Sequence, residues 1–185
     1  MKENTENLKF LIESVKKGDK NAFNILYKTY FTPLFRYIYL RINSKTETED
    51  LVQEVFLRVL KNINKFEDRN KSPLNYFFTI ARNLIIDYWK KKKEISINNE
   101  EILKAIHNNF NPHQIIQEKE INEIIKKSIK NLPTDQQEVI ILKFINDMTN
   151  KEIANLMDRS EEAVRQLQCR ALKKLRQTLK ELKIL

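Results

Sequence analysis

Residues able to do covalent or metal chemistry are sparse in this chain. Cys169 is the one cysteine, and the two histidines, His107 and His113, lie far from it. Neither a zinc-finger ligand set nor a disulfide framework assembles from them within one chain. Gly18 is the one glycine, which excludes a glycine-rich phosphate loop and with it the nucleotide-binding α/β enzymes. Cationic charge is plentiful instead: 34 Lys+Arg stand against 25 Asp+Glu, a net charge of +9. Two segments concentrate it. In the first, Arg82 and Lys90, Lys91, Lys92 and Lys93 face the single anion Asp87; in the second, Arg165, Arg170, Lys173, Lys174, Arg176, Lys180 and Lys183 outnumber Glu161, Glu162 and Glu181. Such clusters neutralise phosphates and release their counterions, so they point to nucleic acid. The simpler reading is that the lysine run compensates the negative end of a helix macrodipole and that the C-terminal charges are solvated. Tyr76 and Trp89 beside the first cluster suit base stacking, although aromatics at helical spacing also serve as core.

The elements that must carry these charges are helices. One glycine and four prolines in 185 residues leave little turn chemistry for a sheet, and 41% hydrophobic residues are enough for a core. An all-α fold is expected. Gly18-Asp19 breaks an opening helix of about 4–17 from a long one of about 20–42 that contains Pro33. Ser72-Pro73, Asn111-Pro112 and Leu132-Pro133 mark further helix starts. Thr46 with Glu49, and Thr149 with Glu152, fit the reciprocal capping box. Between Lys93 and Asn111 the periodicity fades into EISINNEEILKAIHNNFN, read as a flexible linker with at most a short helical turn. It separates an N-terminal unit of about 1–94 from a C-terminal unit of about 112–185. MKENTENLKF is polar and no apolar run approaches the ~18 residues that span a bilayer, so a cytoplasmic protein without membrane insertion is expected. The lone cysteine agrees with a reducing compartment.

At about 100° per residue, Leu51, Val52, Val55, Phe56, Val59, Leu60 and Ile63 form the core stripe of a helix over 46–63. The opposite face collects Asp50, Gln53, Glu54, Leu57 and Lys61. Geometry leaves Leu57 two readings, a lone exposed leucine or part of a partner surface. In TNKEIANLMDRSEEAVRQLQCRALKKLRQTL, a capped helix from Thr149 to Met157 meets a short turn at Asp158-Arg159, and Ser160 caps a second helix to about Leu182. Ile153, Ala154, Leu156, Val164, Leu167, Ala171, Leu172 and Leu175 are its expected core. This is the layout of a helix-turn-helix that delivers its second helix to a DNA major groove.

Four blocks in order now resemble a known family: DKNAFNILYKTYFTPLFRYI, TETEDLVQEVFLRVLKNINKF, SPLNYFFTIARNLIIDYWKKKK, and LPTDQQEVIILKF followed by the helix-turn-helix. They resemble bacterial sigma factors of the sigma-70 class, in the small extracytoplasmic-function group. The resemblance implies a region 2 domain over 1–94, a linker over 95–111 and a region 4 domain over 112–185. It implies that Asp50, Gln53, Glu54 and Leu57 dock on the clamp of the largest subunit of core RNA polymerase, and that region 4 sits on the flap of the other large subunit. It also implies that Phe66, Ile80, Ala81 and Asn83 form a pocket for a base flipped from the -10 element, with Asn83 reading its polar edge. Lys90 to Lys93 would hold flanking phosphates.

Ser160, Arg165, Gln166, Cys169, Arg170 and Lys173 are the corresponding candidates for the -35 element. Three positions depart from the family pattern. Tyr76 stands where tryptophan is usual, Asp158 replaces the frequent turn glycine, and Leu167 replaces an arginine able to pair bidentately with guanine. The usual -35 sequence therefore does not carry over. Cys169 is read as a small side chain beside DNA, with a redox switch as the alternative. The resemblance implies promoter DNA and core RNA polymerase as partners, an anti-sigma factor as a further one, and no catalytic residue, metal or cofactor. Two other classes remain as alternatives. An autonomous repressor or activator would explain 133–182 and leave EDLVQEVF and IARN unexplained. A helical enzyme lacks a triad, metal cluster or phosphate loop to host a reaction.

Overall fold

The computed structural model describes residues 2–65, 73–97 and 118–181, and among them every regular element is helical. Helix α1 (Lys2–Lys16) ends at Gly18, whose φ of 87° reverses the chain. Asp19 then caps α2 (Lys20–Ile42), its Oδ1 accepting from the amides of Asn21 at 2.8 Å and Ala22 at 3.2 Å. Left-handed Asn43 closes that helix. Helix α3 (Lys45–Asn62) runs into a 3₁₀ turn at Ile63–Lys65. Its start corrects the expected capping box: Ser44 is the N-cap and Thr46 lies inside the first turn. The helix begins two residues early because Ser44 already adopts the extended cap conformation, and Thr48 donates its hydroxyl back to the Ser44 carbonyl at 2.6 Å.

Pro73 opens α4 (Pro73–Ile97), where a missing amide costs nothing. The helix carries the lysine run and continues three residues past the expected unit boundary at 94. The Asn111-Pro112 helix start lies outside the described residues. Three apolar faces meet in the N-terminal core: Leu26, Tyr30, Leu34 and Tyr37 from α2, Val52, Val55, Phe56 and Val59 from α3, and Phe77, Phe78, Ala81 and Ile85 from α4. Phe77 stacks on Tyr30 with centroids 5.4 Å apart and meets Phe56 edge-on at 5.8 Å. Truncating so enclosed a ring typically costs about 3–5 kcal/mol.

In the C-terminal half, α5 (Glu118–Lys130) leads to Pro133, which stands just before α6 (Thr134–Ile140). A π-type turn at Ile141–Ile145 follows, closed by the Asn146 amide on the Ile141 carbonyl at 3.1 Å. Helix α7 (Asn150–Met157) and helix α8 (Glu161–Glu181) complete the chain. Thr149 makes the expected capping box: its hydroxyl accepts from the Glu152 amide at 3.2 Å while the Glu152 carboxylate accepts from the Thr149 amide at 2.8 Å. Val139, Ile141, Leu142, Ile153, Val164 and Ala171 are enclosed where α6, α7 and α8 meet.

The two halves pack against one another. Helix α2 touches α5 and the π-type turn, and α4 touches α7. Across that seam the Asn75 amide donates to the Glu152 carbonyl at 3.2 Å. The hydroxyl of Tyr37 donates to Glu138 at 2.8 Å.

Candidate polymerase and nucleic-acid interfaces

Helix α3 presents the first surface. Its buried residues Val52, Val55, Phe56 and Val59 hold one face against α2 and α4, which turns Asp50, Gln53 and Leu57 to solvent. Leu57 is 60% exposed. Glu54 is half-buried and pairs with Arg58, Nε to Oε1, at 2.6 Å. Leu60, expected in the core stripe, is 36% exposed. On a helical wheel it falls about 40° beyond Phe56 and about 20° from Gln53, at the edge of the stripe where α2 and α4 no longer reach. The spare face therefore carries two leucines flanking a glutamine, which is more apolar than the sequence pattern indicates.

Helix α4 presents the second surface. Asn83 is exposed and Ile80 is half-buried, whereas Ala81 is fully buried in the core. Phe66 lies outside the described residues, so the pocket expected from these four is not assembled from described side chains. The lysine run divides. Lys90, Lys91 and Lys93 are exposed, while Lys92 Nζ donates to the Tyr88 hydroxyl at 2.9 Å and sits over the rings of Tyr88 and Trp89. The Tyr88 hydroxyl itself donates to Glu47 Oε2 at 2.6 Å. Burial and that carboxylate both raise the Tyr88 pKa far above its ordinary value. Tyr76, where tryptophan was the comparison, is half-buried against the core beside Phe77.

The third surface is the helix-turn-helix. Asp158 adopts φ 55° and closes α7, taking the place of glycine as aspartate tolerates. Arg159 pairs with Asp135, which fixes the turn to α6. Ser160 caps α8 by accepting from the Ala163 amide at 3.1 Å, so its oxygen is engaged in structure. Gln168 donates to Asn150 at 2.9 Å, bracing α8 on α7. Arg165, Gln166, Cys169, Arg170 and Lys173 are all exposed and fall within about 140° of the wheel. Leu167 is half-buried and packs on the core, so it points away from that face. Leu172, expected in the core, is exposed. Arg165 pairs with Glu162 at 3.0 Å and with Glu161 at 3.8 Å. Exposed pairs of this kind are worth about 0–1 kcal/mol, a small barrier to exchange for a base or phosphate.

A fourth cluster had no signal in the sequence. Glu138 of α6 is 1% exposed. Its Oε1 accepts from the Tyr37 hydroxyl at 2.8 Å and from Arg82 Nε at 3.2 Å, and its Oε2 lies 3.4 Å from Arg41 Nη1. Burial first and the Glu138 charge second raise the Tyr37 pKa well above its ordinary value. All three partners come from the other half of the chain, more than 50 residues away, which is why periodicity and spacing could not reveal them.

Comparison with known proteins agrees with this architecture. Residues 26–95 match the family model Sigma-70 region 2, and residues 128–177 match Sigma-70, region 4. The chain is 32% identical over 170 residues to the ECF RNA polymerase sigma factor BldN of Streptomyces coelicolor, covering 91% of this chain and 64% of BldN. It is 30% identical to the ECF RNA polymerase sigma factor SigX of Bacillus subtilis, covering 89% of this chain and 87% of SigX. Among solved structures, CnrH in complex with the cytosolic domain of CnrY shares the fold with a TM-score of 0.73 at 20% identity, over 95% of this chain and 98% of CnrH. The sigma factor RpoE in complex with the anti-sigma factor NepR, from Bartonella quintana, shares it with a TM-score of 0.61 at 19% identity, over 84% of this chain and 96% of RpoE. With both regions matched in order across two helical units, the chain belongs to the extracytoplasmic-function group of the sigma-70 family, transcription initiation factors that bring core RNA polymerase to promoters.

Proposed function

We propose that α3 is the polymerase-docking element of this factor, through Asp50, Gln53, Glu54 and Leu57 with Leu60 added. The observation that supports this reading is an exposed leucine pair beside Gln53 on a helix whose other side is fully packed. Helix α4 reads the -10 element, with Asn83 at the base edge and Lys90, Lys91 and Lys93 on flanking phosphates. Helix α8 reads the -35 element through Arg165, Gln166, Cys169, Arg170 and Lys173. Here Arg165 and Arg170 take the guanine-reading role. Residues 1–94 and 112–185 act as separate modules around the linker 95–111. The factor works in the cytoplasm, without catalysing a reaction itself, and an anti-sigma partner covers one or both modules. The solved complex of the sigma factor RpoE with the anti-sigma factor NepR supports the last point.

Two small modules on a tether lose much orientational freedom when they grip promoter DNA unaided, and polymerase removes that cost. Reconstitution tests the reading. Specific run-off transcription should need both this chain and core enzyme, and the isolated chain should bind DNA weakly, with a steep salt dependence. Tight, sequence-specific binding without polymerase would overturn it.

A further inference from the structure

The Glu138 cluster is out of balance. Two guanidinium groups and a hydroxyl converge on one carboxylate. Arg41 is 6% exposed at its side chain, and its Nη1 lies near Oε2 yet makes no hydrogen bond. Its guanidinium also rests 6.0 Å from the centre of the Tyr37 ring. A buried donor without an acceptor costs about 1–3 kcal/mol, so the arrangement is poorly optimised for the group now occupying it. A pair of arginines with a hydroxyl suits a phosphodiester at least as well, since that group spreads one negative charge over two free oxygens and offers ester oxygens besides.

The location selects the ligand. Arg82 directly precedes Asn83 on α4, and on the helical wheel Trp89 and Lys93 each lie within about 20° of Arg82. The seat thus borders the stripe of helix that carries Lys93, the last of the lysine run. The closed packing is also incompatible with promoter reading. Elements centred near -35 and -10 are about 25 base pairs apart, roughly 85 Å at 3.4 Å per step. A compact chain of this length has a radius of gyration of only about 16 Å. The two halves must separate before both elements are read, and separation withdraws Glu138 from its arginines.

We propose that Tyr37, Arg41 and Arg82 form a phosphate seat for the single-stranded -10 DNA backbone, and that Glu138 plugs this seat in the closed chain. The carboxylate stands where the phosphate binds, so DNA binding by region 2 and docking of region 4 on region 2 exclude one another. This rests on the assignment of α4 to the -10 element.

The test uses the full chain and a mixed-sequence single-stranded DNA 12-mer, read by fluorescence anisotropy alongside small-angle scattering. Glu138→Gln keeps the shape and removes the charge. It is expected to enlarge the radius of gyration, to tighten 12-mer binding about tenfold by raising the open fraction, and to steepen the salt dependence. Adding Arg41→Gln and Arg82→Gln to Glu138→Gln should abolish the gain while the chain stays expanded. Tyr37→Phe, which keeps the ring packed on Phe78, should expand the chain in the same direction by less and carries the test if Glu138→Gln does not fold by circular dichroism. An unchanged radius in the folded variants, or a gain that survives loss of both arginines, overturns the proposal. Capture of core polymerase by the wild-type chain is scored separately. Its presence with no seat effect sinks the seat alone, and its absence sinks the docking assignment.

Discussion

The phenol of Tyr88 donates a 2.6 Å hydrogen bond to the Glu47 carboxylate, tying the lysine-bearing end of α4 to the first turn of α3. The bond joins the two helices proposed to meet DNA and polymerase, so it fixes their mutual angle as well as adding stability. Tyr88→Phe retains the ring and its contact with Trp89 while deleting the donor. A hydrogen bond to a charged acceptor contributes about 1.5–3 kcal/mol, and partial exposure places this one near the lower end. Urea titration of the variant should show a lower midpoint with an unchanged slope.

Leu57 and Phe56 are neighbours with opposite fates. Leu57→Ala and Leu60→Ala should leave stability within about 0.5 kcal/mol of wild type but weaken capture by core polymerase about tenfold, or 1.4 kcal/mol. Phe56→Ala should instead unfold the N-terminal unit at lower denaturant, at a cost of about 3–5 kcal/mol. Competition pull-downs paired with thermal melts separate the two effects. Polymerase affinity unaffected by both leucine changes would remove α3 from the interface.

Thr149 stands at the entry to the helix-turn-helix, where its capping box satisfies two amides at the start of α7. Thr149→Ala should cost about 1 kcal/mol and loosen the platform on which α8 rests. Hydrogen exchange should report faster opening across α7, with the α2 amides unchanged.

Tyr30 supplies a pH dependence. Burial raises its pKa to about 12 from the ordinary 10. Between those values the unfolded chain binds fewer protons than the folded one, so stability falls as pH rises. The contribution is complete below pH 10 and is lost as pH passes 12, at up to about 1.4 kcal/mol per pH unit. Urea midpoints measured from pH 9 to 12 should decline less steeply in Tyr30→Phe than in wild type.

Local structure was legible wherever one short segment contains both partners of an interaction. The Thr149–Glu152 box, the Asp158 turn, the Ser160 cap and the polar face with Leu57 all follow from residues within one or two turns. Thr46–Glu49 failed on the same logic, because two overlapping caps compete and Ser44 wins by already being extended. Leu60 and Leu172 failed because a wheel places them at the border of a stripe, and only the reach of the neighbouring helices decides whether such a residue is covered.

What the chain's order of residues determined alone was its helical class, the two cationic surfaces, the helix-turn-helix and the family, since periodicity, capping and motif order are encoded locally. What the tertiary structure decided was which edge residues stay bare, how Lys92 leaves the lysine run to cover two rings, and that Glu138 meets Tyr37, Arg41 and Arg82. Those depend on how two separately encoded units are brought face to face. A buried carboxylate finds its arginines through packing across that seam, and no spacing along the chain specifies it.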